Sequence, residues 1–211
     1  MANLVFYMTP GSCSTGIHIL LEELELVFEV QLVNLLAGDQ NTEAYRQMNP
    51  KGTIPVLTLK DGTPLTDFQS IAWWLAKSHP RRGLLPDEFL DELRALERMN
   101  YCVNQIHGQG FTRIFTTEKY SENPDEQALI QARGKELVAE GFALAADWLP
   151  EKGYLFERFS IADAALFYLE FWATRIELPL PEKCQAHYQL MLERPSVRQV
   201  LSEEGYGSVF R

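Results

Sequence analysis

Apolar positions change period repeatedly within the first eighty residues. Leu4 to Met8 is a short apolar and aromatic run that reads as a buried strand. Pro10-Gly11-Ser12 breaks it, and Ile17, Leu20, Leu21 and Leu24 then recur at i, i+3, i+4 and i+7, one face of a helix. Phe28 to Val33 alternates like a second strand, so the unit reads strand, helix, strand, which closes right-handed with parallel strands. A short helix around Thr42 to Met48 leads to a strand at Val56-Leu57-Thr58-Leu59, a tight turn at Lys60-Asp61-Gly62-Thr63 and a returning strand at Pro64-Leu65-Thr66. A helix over Gln69 to Lys77 follows. The order βαβ, then ββα, predicts a mixed sheet of thioredoxin-like type.

Beyond His79-Pro80-Arg81-Arg82-Gly83 the strand signal disappears. Helical periodicity covers about Asp87 to Ile106, Pro124 to Leu149, Ser160 to Thr174, Glu182 to Glu193 and Pro195 to Glu204, with turn signals between. The expected organisation is therefore α/β plus all-α: a thioredoxin-like domain over 1–80, a linker over 81–90 and a helical bundle domain over 91–211. A length of 211 residues accommodates one large domain or two small ones.

Composition narrows the function. Nineteen Lys and Arg against 29 Asp and Glu give a net charge of −10, which repels phosphate backbones and anionic membrane surfaces, so nucleic acid and membrane are not expected partners. Apolar stretches such as Ile71 to Ala76 fall far short of the roughly 18 residues of a membrane helix, and Met1-Ala2-Asn3 carries no basic n-region; the expectation is a cytoplasmic protein. Cys13, Cys102 and Cys184 are far apart, with neither a C-x-x-C pair nor a metal spacing, so neither a disulfide framework nor a metal is expected.

Cys13 stands where the first strand hands over to the first helix, a position that favours a thiolate through the helix dipole and unpaired amides. Its type alone suits a small buried core residue, and Ser14-Thr15-Gly16 after it leaves no second cysteine for a dithiol. In Asn49-Pro50-Lys51-Gly52-Thr53-Ile54-Pro55, Pro55 holds Ile54 extended, which suits either an ordinary turn or the docking of a peptide-like ligand as an extra strand. Asp67 is the natural N-cap of the next helix, either as a cap alone or beside amides that hold an anion. Asn100, Asn104 and His107, at i, i+4 and i+7, line one helix face, as a solvated stripe or as site residues. Ser160 and Asp163 form a capping box, a folding motif with no catalytic role.

Three segments, Tyr7-Met8-Thr9-Pro10-Gly11-Ser12-Cys13-Ser14, Asn49 to Leu57, and Leu65-Thr66-Asp67, resemble the glutathione-binding domain of the cytosolic glutathione transferases, above all the bacterial beta class with its cysteine in the first turn. The resemblance covers nearly the whole chain. Phe159-Ser160-Ile161-Ala162-Asp163-Ala164 resembles the family's capping box and staple, and Arg194-Pro195-Ser196-Val197 its final-helix entry.

The resemblance implies a transferase acting in detoxification, with glutathione as co-substrate and a small electrophile as the second substrate. Glutathione would lie beside Ile54, ahead of a cis Pro55, with its γ-glutamyl end at Asp67 and the N–H of Phe68. Its sulfur would lie near Cys13, with Ser12, Ser14 and His107 as donors, Tyr7 on the first strand as a further contact, and Asn100, Asn104 and His107 reaching across the domain interface. Phe111 and Phe115 would line the electrophile's site. Two family lysines are missing, at Leu35-Leu36-Ala37-Gly38 and at Gly108, and charged hydrogen bonds contribute roughly 1.5 to 3 kcal/mol each. Phe68 stands where the family has Ser or Gly. Two other readings stay open: glutathionyl transfer through Cys13 itself, and a catalytically silent binding module of this fold. A homodimer is also implied, since Ile71-Ala72-Trp73-Trp74-Leu75-Ala76 is apolar around more than one face; the alternative is that the helical domain of the same chain absorbs both tryptophans.

Overall fold

The computed structural model describes residues 4–210; the Met1-Ala2-Asn3 segment lies outside the described residues. Packing divides the chain into two compact units, one running to Leu84 and resuming from Leu192, the other covering Leu85–Met191.

The first unit is thioredoxin-like. Strands β1 (Val5–Met8), β2 (Glu29–Leu32), β3 (Val56–Thr58) and β4 (Pro64–Thr66) lie in the order β2-β1-β3-β4, with β1 and β2 parallel and the other pairs antiparallel. Helix α1 (Ser14–Glu23) links β1 to β2, α2 (Glu43–Met48) precedes β3, and α3 (Phe68–Ser78) follows β4. β2 departs from the expected half-buried alternation: all four residues are exposed, as befits an edge strand, and the apolar residues flanking it carry the packing. Val33 is buried, and Phe28 sits against Phe6 and His18.

Helix α9 (Pro195–Glu203) belongs to this unit, not to a helical body extending to 211. It packs on α1, where Arg194 grips Glu23 in bidentate fashion at 2.8 and 2.7 Å and Ser196 donates to the same carboxylate. Those partners lie too far apart in sequence for any periodic pattern to reveal them. Between the units, which divide at Leu84 and Leu85, a 3-10 turn occupies Pro80–Arg82 and a helix starts at Phe89.

The second unit is helical. Helix α4 (Phe89–Tyr101) continues without a break as a π-helical segment, Cys102–Phe111, and ends as α5 (Thr112–Phe115). α6 (Pro124–Trp148), α7 (Ile161–Arg175) and α8 (Glu182–Leu192) complete it. Glycines let the π segment and α6 touch: a Cβ on Gly110 would stand 2.6 Å from Val138 Cγ2, and one on Gly141 2.6 Å from Ile106 Cγ1. The capping box forms, with Asp163 Oδ2 taking the N–H of Ser160 at 2.8 Å. Asp163, Glu170 and His187 are all buried, with His187 Nδ1 at 2.8 Å from Glu170 and Nε2 at 3.2 Å from Asp163. Burial opposes the imidazolium, yet the two carboxylates overcome it and hold His187 up at about 10, while burial lifts the Glu170 carboxyl to about 7 against the pull of His187. Among the described residues no helix is long and apolar enough to cross a membrane.

Candidate functional site

The turn from β1 into α1 is built by small hydroxyl residues around Gly11. Gly11 has φ +71°, open to glycine without steric penalty, and a Cβ there would stand 2.1 Å from Tyr206 Oη, so a side chain would be strained and would have to displace the Tyr206 ring. Thr9 Oγ1 donates to the Val33 carbonyl at 2.6 Å, tying the turn to the residue after β2. Ser12 Oγ accepts from the Ser14 N–H at 3.1 Å, and Ser14 Oγ donates to the Thr9 carbonyl at 3.0 Å. Ser14 is fully buried, and its hydroxyl also accepts from the Thr9 N–H and meets Ser12 Oγ. The expectation that Ser14 offers a donor to a ligand sulfur is therefore corrected, because its hydroxyl folds the turn.

Cys13 is the N-cap residue of α1, where the sequence places it, and its Sγ lies 3.7 Å from the Ile54 carbonyl oxygen. It is only 8% exposed. Burial pushes the thiol up to about 12, and the Asp67 charge adds to that rise, while the local backbone amides only oppose it. The expected low thiol pKa is thus overturned: desolvation of the charged form outweighs the helix terminus. Cys102 and Cys184 are raised by burial as well.

Opposite Cys13, the segment before β3 is pinned by Asn49, whose buried amide donates to the Thr53 carbonyl at 2.8 Å and whose Oδ1 accepts from the Lys51 N–H at 3.2 Å. Tyr45 Oη donates to the same Thr53 carbonyl at 2.8 Å. The Ile54–Pro55 peptide is cis, and Ile54 lies outside the strand ladder, in which Val56 pairs with Tyr7 and Thr66. Gly52, at φ +62°, completes the turn.

Asp67 stands at the start of α3 with φ +75° and ψ 142°, a conformation non-glycine residues rarely adopt and one that costs on the order of 1 to 3 kcal/mol. Its side chain does not cap the helix, contrary to the sequence expectation; it pairs with Lys51 Nζ. Lys51 received no role from the sequence, although it stands within the motif that carries Ile54. The Phe68 side chain is buried. Tyr7 packs edge-on against Tyr45, with ring centroids 6.2 Å apart, and lines a cavity of about 380 Å³ with Leu32, Val33 and Met48. Tyr7 and Ile54 both pack against the buried cluster of Val33, Tyr45 and Val56.

In the helical unit, Asn100 precedes the π segment, while Asn104 and His107 lie within it. Hydrogen bonds to i+5 widen the turn there, so the i, i+4, i+7 spacing no longer marks one face. Asn104 is exposed, whereas the His107 ring packs 4.9 Å from Trp172 and its Nδ1 lies 3.3 Å from Tyr168 Oη. Burial pushes its imidazole down to about 4, so it is neutral at pH 7. Phe111, expected to line a substrate site, is fully buried; Phe115, stacked on it at 5.4 Å, is exposed.

The sequence also missed Glu204. Its carboxylate, buried beneath the Cys13 turn, accepts from the Gly11 N–H at 2.7 Å. A signal exists in retrospect, since two consecutive acids at the C-terminus of α9 oppose the helix dipole and must be stabilised elsewhere.

Residues 11–78 match the family model described as "Glutathione S-transferase, N-terminal domain". Over 209 residues the chain is 37% identical to glutathione S-transferase GstA of Escherichia coli O157:H7, covering 95% of this chain and 98% of that protein. Among solved structures, a glutathione transferase homologue from Sulfitobacter with bound glutathione superposes with a TM-score of 0.87 at 26% identity, covering 96% of this chain and 99% of that one. A bacterial beta class glutathione S-transferase from Sphingomonas chungbukensis superposes with a TM-score of 0.81 at 27% identity, covering 96% and 99%.

Proposed function

The chain belongs to the glutathione S-transferase family, and from that premise we propose that it joins glutathione to small electrophiles at the Cys13 end of α1. The observation that carries the reading is the 3.7 Å approach of Cys13 Sγ to the Ile54 carbonyl, which sets a thiol beside a backbone segment lying outside the β3 ladder. An extended tripeptide pairs with Ile54, its γ-glutamyl end meets Asp67 and the Phe68 amide, and Lys51 supplies a cation nearby. The glutathione sulfur then falls at the start of α1, whose dipole favours the thiolate. That thiolate attacks the electrophile, an S–C bond forms, the leaving group departs with the bonding pair, and the glutathione proton goes to solvent.

Cys13 enters this scheme as a protonated thiol donating to the glutathione sulfur. Its raised pKa disfavours the alternative in which it becomes the nucleophile of a mixed disulfide. The test is retention on immobilised glutathione with elution by free glutathione, together with conjugation of a chlorinated nitroaromatic followed by chloride release. Cys13→Ala should keep both, with kcat reduced by less than about tenfold; loss of retention would show that the backbone segment is not what holds the tripeptide.

The same reading carries a cytoplasmic homodimer acting in detoxification. Support for the dimer comes from α4, where Phe89 is 72% exposed and Leu90 and Leu93 are exposed beside it. Sedimentation equilibrium at micromolar concentration should give about twice 24.2 kDa.

A further inference from the structure

Where the end of α9 meets α1, one group of side chains takes no part in the reaction proposed above. His18 and Glu22 lie at i and i+4 on α1, on one face, and Glu203 is the last residue of α9. Among the described residues, His18 Nε2, a Glu22 oxygen and a Glu203 oxygen all lie within 4.8 Å of one another. The His18 side chain is only 5% exposed, and its Nδ1 meets Glu204 Oε1 at 2.9 Å. The Glu204 carboxylate already accepts from the Gly11 N–H and from Thr15 Oγ1, so it acts as an acceptor toward His18 as well and the ring proton stands on Nδ1. Among the described residues Nε2 makes no hydrogen bond; it faces Glu203 Oε2 at 3.5 Å and is the ring atom left for a proton or a metal.

We propose that His18, Glu22 and Glu203 form a binding site for a divalent transition-metal cation of zinc type, joining α1 to α9. One imidazole nitrogen and two carboxylates suit zinc, with water in the fourth position, better than calcium, which takes six or more oxygens. Two ligands of a tetrahedral zinc stand about 3.4 Å apart, which matches the 3.5 Å between His18 Nε2 and Glu203 Oε2. Each ligand also has an outer partner: Glu204 orients the His18 ring, and the Gln199 amide donates to Glu203 Oε1 at 3.0 Å and bonds Glu22 as well. Charge points the same way. Burial raises the Glu22 carboxyl and the Glu203 charge raises it further, so the two acids meet at a net cost that a dication removes. α9 has no basic residue in its last turn, and a cation there complements the negative end of its dipole. Glu203, half exposed, leaves a path from solvent.

The experiment strips the full chain of metal with a chelator, dialyses it, and titrates it with zinc chloride by calorimetry and with cobalt chloride by absorption. Wild type should take up one Zn2+ per chain with a Kd at or below about 10 μM. Free zinc at about 100 times Kd should raise the melting temperature by about 5 °C. Glu22→Gln and Glu203→Gln, both at positions that are not fully buried and so tolerate the change, should each weaken zinc binding by more than about tenfold. Glu43→Gln, an exposed acid on α2, and Cys13→Ala should leave it as it is. The cobalt form should show d–d absorption without a thiolate charge-transfer band, because no cysteine is among the ligands.

The proposal is overturned if wild type binds zinc more weakly than about 10 μM, which would mark an adventitious ion only. It is overturned equally if either Glu22→Gln or Glu203→Gln loses less than about tenfold in affinity, or if Cys13→Ala abolishes binding and the cobalt form carries a thiolate band. All of these readouts concern the metal and none requires glutathione, so a wild-type protein that conjugates nothing refutes the proposed function and leaves the metal site to be decided by the titrations.

Discussion

Each unit of this molecule holds a buried histidine between two carboxylates, and the two arrangements serve different ends. In the helical unit His187 lies between Glu170 and Asp163, all three side chains fully buried, and Asp163 also closes the capping box of α7. In the thioredoxin-like unit His18 lies between Glu204 at 2.9 Å and Glu203 at 3.5 Å, and Glu203 is half exposed. His18 Nε2, Glu22 and Glu203 also stand close enough to hold a cation, with ligand atoms within 4.8 Å of one another, although cysteine spacing alone suggested no metal. The sealed triad commits its acceptors to ends of helices and to a loop; the open one commits them to the turn that carries Cys13. The same chemistry is thus structural where water is excluded on all sides and available to function where one carboxylate reaches the surface.

The largest effect should come from breaking the sealed triad. His187→Gln leaves two buried carboxylates without a cation and should cost about 3 to 5 kcal/mol, measured as the loss of unfolding free energy in urea. The next concerns pH. His187 is held up at about 10 in the folded protein against an ordinary 6.5, so its contribution is full below pH 6.5 and is lost as pH rises toward 10; Glu170, lifted to about 7, adds a decline of the same sign from 4.5 upward. Melting temperatures should fall from pH 6.5 to 10 in the wild type; in His187→Gln, Glu170 loses the partner that lowers its pKa, so the decline should persist until Glu170 ionises and flatten only above that. The smallest effect belongs to the open arrangement: Glu203→Gln should cost less than about 1 kcal/mol, because water screens a half-exposed partner. A loss at Glu203 as large as that at His187 would erase the distinction between the two sites.

Local pattern made most of the fold legible. The i, i+3, i+4, i+7 stripe of Ile17 to Leu24 marks α1, although the helix is buried all round from Ser14 to Leu21 and not along that stripe alone, and Pro124, Ser160 and Pro195 mark the starts of α6, α7 and α9 within a residue. Cys13, Ile54, Pro55 and Asp67 were legible as a candidate site because glycine, proline and helix-start signals are local and the family motif spans them. What escaped depends on partners distant in sequence. Desolvation of Cys13 is set by everything packed around it, which a helix terminus taken alone does not count. The hydroxyl of Ser14 is consumed by Thr9, and the Asp67 side chain goes to Lys51 instead of the α3 amides. The π segment also escaped, although Cys102, Ile106 and Phe111 are spaced by four and five residues, which at about 100° per residue would put Phe111 opposite Cys102 on an α-helix.

The split of the first unit across the chain bears on how it is made. A ribosome emits its sheet and α1 first, then Leu85–Met191, and only afterwards α9. At roughly 5 to 20 residues per second, on the order of 5 to 20 s separate Leu84 from Leu192. Throughout that interval α1 lacks Arg194 against Glu23, and the Gly11 amide lacks its carboxylate. The helical unit is contiguous in sequence and has no such wait. The part of the protein begun first is finished last, and a nascent chain carries an incomplete thiol turn until translation passes residue 204.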